Sequence, residues 1–162
     1  LRPRLPGLLM ERYRGRPEDT LLATRNLWYH TGDAVERDLE GVYYFRGRMG
    51  DRIRVRGENV TAFSVEAVLG EHPDVVLSAV IGVPSEDGNE DDIVAFVVLS
   101  DNSQITIQDL SRYAESGLPP FMRPRQYFVL PELPQTPSNK IQRHKLRALF
   151  EESYRNASRE ST

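Results

Sequence analysis

Residues 75–83 and 93–99 are two runs of mostly aliphatic side chains, and the seven residues leading into the second run carry five carboxylates. Runs this short and this apolar read as strands of a buried core, and the acidic stretch 86–92 between them reads as a solvated hairpin turn. Helix and strand patterns on either side of that pair then imply an α+β domain over residues 49–154.

The rest of the chain supplies those flanking elements. Arg52, Arg54 and Arg56 alternate with Ile53 and Val55, which predicts a strand with guanidiniums on one face and an apolar pair on the other. Gly57, Glu58 and Asn59 read as a loop, and Val65, Val68 and Leu69 give helical spacing up to Gly70 and Pro73. Thr106 and Asp109 form a capping-box pair. They start a helix with Leu110, Tyr113 and Ala114 inward, which Gly117 and the prolines at 119–120 stop. A third short strand is expected over 127–130. Leu146, Leu149 and Phe150 mark a last helix, followed by a polar tail over 155–162. Upstream, a short helix near residues 17–24, an aromatic strand over 27–33 and a second strand over 42–45 look like the end of a different, mostly β unit, residues 1–48.

Composition narrows the function classes. A net charge of −3 disfavours nucleic acid and anionic membrane as partners. The absence of cysteine excludes disulfides, thiolate zinc sites and a cysteine nucleophile, and fits a cytoplasmic setting. The longest apolar run is too short to span a bilayer. The chain opens on Leu1 rather than methionine, so it is expected to be part of something longer. Of its 21 basic side chains only Lys140 and Lys145 are lysines. Lysine is a compact, flexible point charge rather than a planar fork, so its survival beside so many arginines suggests a place where arginine would not fit. On composition alone, a biased base composition accounts for the pattern slightly better.

No phosphate-binding P-loop, dinucleotide fingerprint, nucleophile elbow or zinc-protease motif is present. His30, His72 and His144 are scattered and read as surface residues. Phe121, Arg123 and Arg125 follow two prolines. That pattern suits an adenine stack with phosphate contacts, and equally a core phenylalanine beside surface arginines. The arginines at 46, 48, 52, 54 and 56 suit phosphate contacts, and more ordinarily an exposed charged face. Asp33 after Thr31 and Gly32 reads as a turn aspartate.

In order along the chain, however, stand Tyr29-His30-Thr31-Gly32-Asp33, then Gly47-Arg48-x-x-Asp51-x-Ile53-x-x-x-Gly57, then Pro134-x-Thr136-Pro137-Ser138-x-Lys140-Ile141-x-Arg143-x-x-Leu146-Arg147. This series resembles the closing motifs of the adenylate-forming enzymes, which include acyl-CoA synthetases, peptide-synthetase adenylation domains and firefly luciferase. The finer likeness, through residues 57–59 and 82–84, is to acid–CoA ligases of the crotonobetaine/carnitine type. The resemblance implies a small C-terminal lid domain, with a β-hairpin and a three-stranded, mainly antiparallel sheet flanked by helices, preceded by the last strands of a large N-terminal adenylating domain. It also implies a two-step reaction: a small carboxylic acid and ATP give acyl-adenylate and pyrophosphate, then CoA displaces AMP.

The resemblance further implies roles by position. Asp33 would hold the ribose hydroxyls and Arg48 would contact the nucleotide. Lys140 would be the mobile catalytic lysine, and the lid would turn about a hinge at Gly50 and Asp51. Gly57, Glu58, Phe121, Arg123 and Arg125 would serve CoA. Mg2+ would accompany ATP in the full-length enzyme without being bound by this chain. Three positions depart from the pattern: Gly50 stands where relatives usually carry Asp or Lys, Asn139 where glycine commonly precedes the lysine, and Arg54 where relatives often carry lysine. The phosphate loop and the acid pocket belong to the N-terminal domain, so the chain alone is expected to be inactive and residues 1–48 to expose apolar surface. Alternatives are an adenylation-domain fragment that loads a carrier protein, and a non-catalytic module that reuses the lid fold for binding.

Overall fold

The computed structural model of the protein describes residues 1–2, 9–85 and 88–160, with no side chains described from 155 onward. Glu86 and Asp87 of the acidic turn, and Ser161 and Thr162 of the expected polar tail, therefore lie outside the described residues. The chain divides into two compact units, Leu1–Gly50 and Asp51–Thr162.

In the first unit a short helix, α1 (Pro17–Ala23), starts with proline at its first position, where no intrahelical N–H is required. Strands β1 (Asp33–Arg37) and β2 (Tyr43–Arg48) pair antiparallel, with a bulge between Ala34 and Val35. The strand expected over 27–33 is not formed. Residues 25–27 make a 3-10 turn with Asn26 and Leu27 at φ of 58° and 61°, and Gly32 follows at 76°. Left-handed backbone cannot continue a pleated strand, so pairing begins only at Asp33. Trp28, Val35, Tyr43 and Phe45 are exposed around an open apolar hollow of about 890 Å³.

The buried apolar residues among those described all belong to the second unit. Strands β3 (Arg52–Val55) and β4 (Glu58–Thr61) form a hairpin closed by Arg56 and Gly57, at φ of 51° and 80°. Two left-handed residues in a row make the tight turn whose twist matches its strands. Glu58 and Asn59, expected in a loop, therefore belong to β4. Ile53 and Val55 are buried and the arginines between them are exposed, as the alternation predicts.

Helix α2 (Ala62–Gly70) buries Val65 and Leu69. Strands β5 (Val75–Pro84) and β6 (Asp91–Leu99) then form the antiparallel pair expected from the two aliphatic runs. Helix α3 (Ile107–Gly117) carries the predicted capping box and buries Leu110 and Ala114. Strand β7 (Gln126–Val129) joins β6 in parallel, completing a sheet in the order β5-β6-β7. Helix α4 (Arg143–Glu160) runs through most of the expected tail. It buries Leu146, half-buries Phe150 and leaves Leu149 exposed.

Successive residues of β6 point into different clusters. Ile93, Ala95 and Val97 pack with α2, α3 and the β3–β4 hairpin, while Val94 and Phe96 pack with Leu133 and Leu146. A sheet covered on both faces has no polar side, so the runs are continuously apolar rather than alternating. The fold is the α+β architecture expected, with the sheet antiparallel along its longer pairing and parallel at β7.

The capping box supports a first prediction. Thr106 Oγ1 accepts from the Asp109 backbone N–H, and Asp109 accepts from both the hydroxyl and the N–H of Thr106. These bonds, the hydroxyl's first, hold the Asp109 carboxyl below its ordinary pKa of 3.8. A depressed carboxyl stabilises the fold above that ordinary value and loses the contribution as pH falls through the lowered one. Thr106→Ala should cost about 1 kcal/mol in urea unfolding at neutral pH. The difference from the parent chain should shrink once Asp109 is protonated.

Candidate functional site

Lys140 sits at the exposed end of a short loop whose shape is set by local hydrogen bonds. Gln135 and Ile141 form an antiparallel bridge, and the Thr136 N–H donates to the Lys140 carbonyl at 2.9 Å. The Asn139 N–H donates to Thr136 O at 2.9 Å, and the Lys140 N–H to Thr136 Oγ1 at 3.1 Å. Asn139 takes φ of 58°. That is the left-handed conformation glycine adopts freely and asparagine tolerates best among the others, which is why Asn139 can stand before the lysine. Gln142 closes the base through its N–H to Pro134 O at 2.8 Å and its Nε2 to Gln135 O at 2.6 Å. The result is a preformed turn with one flexible cation at its edge, and no hydrogen bond or ion pair of the Lys140 ammonium appears among the described contacts. Lys145 is exposed on α4.

Asp33 and Arg48 are brought together in the first unit. They face each other in the β1–β2 register, with Arg48 Nε 2.9 Å from Asp33 Oδ1 and Arg48 Nη1 donating to Thr31 O at 3.2 Å. Asp33 Oδ1 is shielded from solvent yet makes no well-directed hydrogen bond, so the pairing is Coulombic in character. Arg46 is paired across the same strands with Glu36 at 2.8 Å. The arginine series therefore splits: 46 and 48 lie on β2 with acidic partners, and 52 and 54 on β3.

Phe121, Arg123 and Arg125 line an open cavity of about 400 Å³, with Arg56 and the carboxylates of Glu90, Asp91 and Asp92 on its other side. The two arginines differ in what they are free to do. Arg123 donates through Nε to Leu118 O at 3.0 Å and through Nη2 to Glu115 O at 2.9 Å. It thereby satisfies carbonyls at the end of α3 and places a cation where the helix dipole favours one. Arg125 forks onto Asp92, at 3.1 Å and 3.3 Å, but keeps an exposed guanidinium. Gly57 and Glu58 lie at the β3–β4 turn; the cavity wall there is formed by Val55 and Arg56.

The acidic residues at 90–92 do more than solvate a turn. Glu90 accepts from the Arg56 N–H at 2.5 Å and Asp91 from the Arg54 N–H at 3.3 Å, covering the free edge of β3. The sequence signal for this was an acidic run and a basic strand set 34 to 37 residues apart. Among the described residues no group of three or more His, Asp, Glu or Cys side chains could hold a metal ion. No helix among the described residues is long and apolar enough to cross a membrane.

The division of labour between the arginines gives a second prediction. Arg125→Ala should leave the melting temperature nearly unchanged, because its pairing with Asp92 is exposed. Arg123→Ala should instead lower stability by about 1–2 kcal/mol, because two helix-end carbonyls lose their donor. Thermal melts of the two variants read the difference.

Residues 64–140 match the family model of the AMP-binding enzyme C-terminal domain. Over 145 residues the chain is 38% identical to a fatty acid–acyl-carrier-protein ligase of Streptomyces coeruleorubidus, covering 90% of this chain and 28% of the relative. It is 34% identical over 139 residues to a crotonobetaine/carnitine–CoA ligase of Salmonella arizonae, covering 85% of the chain and 27% of that protein. Among solved structures, the o-succinylbenzoate CoA synthetase of Bacillus subtilis with its acyl-adenylate intermediate superposes with a TM-score of 0.78 at 32% identity, over 85% of this chain and 28% of that one. The chain thus spans about a quarter of the length of the relatives it matches.

Proposed function

We propose, for a chain that belongs to the adenylate-forming superfamily and carries its C-terminal domain, that it is the lid of a cytoplasmic AMP-forming acid–CoA ligase and supplies the lysine for the first half-reaction. The observation that carries this reading is the Lys140 turn: a long point charge on a preformed loop, at the motif position of the family's mobile lysine. In the first step a carboxylate oxygen bonds to the α-phosphorus of ATP while the bond to pyrophosphate breaks. Two anions meet there, and a positioned cation lowers the barrier by offsetting the charge that builds up. In the second step a thiol attacks the acyl carbonyl and AMP leaves. Lys140 has no part in that step and would withdraw as the lid turns about Gly50.

Asp33 and Arg48 then serve the nucleotide from the strand pair that precedes the lid. Their mutual pairing sets the carboxylate toward the ribose hydroxyls and leaves the guanidinium near it. Mg2+ would enter with ATP and be held outside these residues. Phe121 offers a ring for the adenine of CoA and Arg125 a cation for its phosphate, once that phosphate displaces Asp92.

Two observations favour a second reading, in which the acceptor is a carrier protein. One is the carrier-protein ligase among the relatives; the other is the prior engagement of both cavity arginines. Purified intact enzyme, loaded with acyl-adenylate, should release AMP with CoA and not with a phosphopantetheinyl carrier protein; the reverse preference would replace the first reading by the second. The 162 residues alone should catalyse no carboxylate-dependent ATP–pyrophosphate exchange.

A further inference from the structure

Arg143 opens α4, three residues after Lys140, and its guanidinium joins three separate segments. Nη1 lies 3.1 Å from Asp51 Oδ2, Nη2 lies 2.6 Å from Glu66 Oε1, and Nε donates to Val80 O at 3.3 Å. Glu66 Oε1 also accepts from the Val80 N–H at 2.8 Å. All three ionic side chains are largely withdrawn from solvent, at 25%, 28% and 16% exposure for Arg143, Asp51 and Glu66. Pairs of this kind hold geometry better than fully exposed ones.

Position gives the cluster its consequence. Asp51 is the first residue of the second unit and follows Gly50 directly. Between Arg143 and Lys140 stand only Gln142 and Ile141, both fixed at the base of the lysine turn. A continuous set of bonds therefore runs from Asp51 through Arg143 to the turn that carries Lys140. Glu66 and Val80 would anchor Arg143 to α2 and β5 without Asp51, so the aspartate is not needed to satisfy the guanidinium.

Resting on the lid reading above, we propose that Arg143 is a positioning residue for Lys140 and that Asp51 acts through it. The pair fixes the lysine turn relative to the first residue after the hinge, so that rotation about Gly50 places the Lys140 ammonium with a fixed offset. A misplacement of about 1 Å can cost on the order of 10²-fold in rate. The effect belongs to the half-reaction that uses the lysine.

In the intact enzyme, Asp51→Asn and Arg143→Lys should each lower carboxylate-dependent ATP–pyrophosphate exchange by about 10- to 100-fold in kcat, with little change in KM for ATP. Thioester formation from supplied acyl-adenylate should stay within about 2-fold. Asp51→Asn nearly preserves volume, so it guards against a folding artefact in Arg143→Lys. The decisive comparison is with Lys140→Ala: in that background neither substitution should lower the residual exchange rate further, because a residue acting through Lys140 has nothing left to position. Equal loss in both half-reactions, an additive loss in the Lys140→Ala background, or no loss at all would overturn the proposal. If Lys140→Ala itself left exchange intact, the lid reading would fall and this inference with it. Loss with Lys140→Ala alone would overturn only the positioning role.

Discussion

Lys140→Ala in the intact enzyme should reduce carboxylate-dependent ATP–pyrophosphate exchange by about 10²–10³-fold, the usual consequence of removing one preorganised group aimed at developing charge. Conversion of supplied acyl-adenylate to thioester should be nearly unaffected, since no new negative charge near the α-phosphate has to be stabilised there. Lys140→Arg is the sharper comparison. It keeps the charge, but replaces a rotatable ammonium by a planar fork that spreads charge and demands two matched acceptors. A partial loss, intermediate between parent and alanine variant, is the expected result. Full activity of Lys140→Arg would mean that the position asks only for charge, and equal damage to both half-reactions by Lys140→Ala would remove the assigned role. Because the turn is built from Thr136, Asn139 and Gln142, neither substitution at its exposed edge should change the melting temperature.

Much of this architecture was legible because its signals are local. The two aliphatic runs gave β5 and β6, Thr106 and Asp109 gave the start of α3, and the alternation of arginines with Ile53 and Val55 gave β3 and its buried side. Where the expectation failed, the cause was conformation or distance along the chain. Leu27 and Trp28 have strand-like side chains, but Asn26 and Leu27 turn left-handed and defer the strand to Asp33. Glu58 and Asn59 look like loop residues until Arg56 and Gly57 are seen to close the hairpin in two residues. The parallel direction of β7 is a property of its neighbour, not of its own four residues.

The candidate site divides in the same way. Lys140, Asp33 and Arg48 were singled out through ordered motifs, and the structure adds the turn and the ion pair that hold them. The same spacing pointed to Arg123 and Arg125 together, but only the folded chain shows that Arg123 is committed to the end of α3. Arg143 was visible as a motif position without a task. Its partners lie 63 to 92 residues away in sequence (Val80, Glu66 and Asp51), a separation that no local pattern can bridge.

Phe96→Ala should produce the largest loss of stability in the chain, about 3–5 kcal/mol. Phe96 is 1% exposed on the central strand, and its ring stacks on Phe128 at 5.1 Å and 17°. Phe128 in turn meets Phe150 of α4 edge-on at 6.2 Å. Truncation removes the transfer free energy of a whole ring, leaves a cavity between β6, β7 and α4, and deletes one ring contact besides. Against a total stability of about 5–15 kcal/mol the loss would leave a fraction of the molecules unfolded at ambient temperature. Urea unfolding should show a lower midpoint at unchanged slope, since the surface exposed on unfolding is nearly the same. The cavity also undermines the docking of α4, whose first residue is Arg143, so hydrogen exchange along α4 should accelerate more than along α3. Phe96→Leu, which keeps most of the volume, should cost about 1–1.5 kcal/mol and leave α4 protected. A loss below about 1 kcal/mol for Phe96→Ala would mean that the sheet face toward α4 can collapse onto the missing ring, and that the aromatic ladder is not what holds the lysine-bearing segment in place.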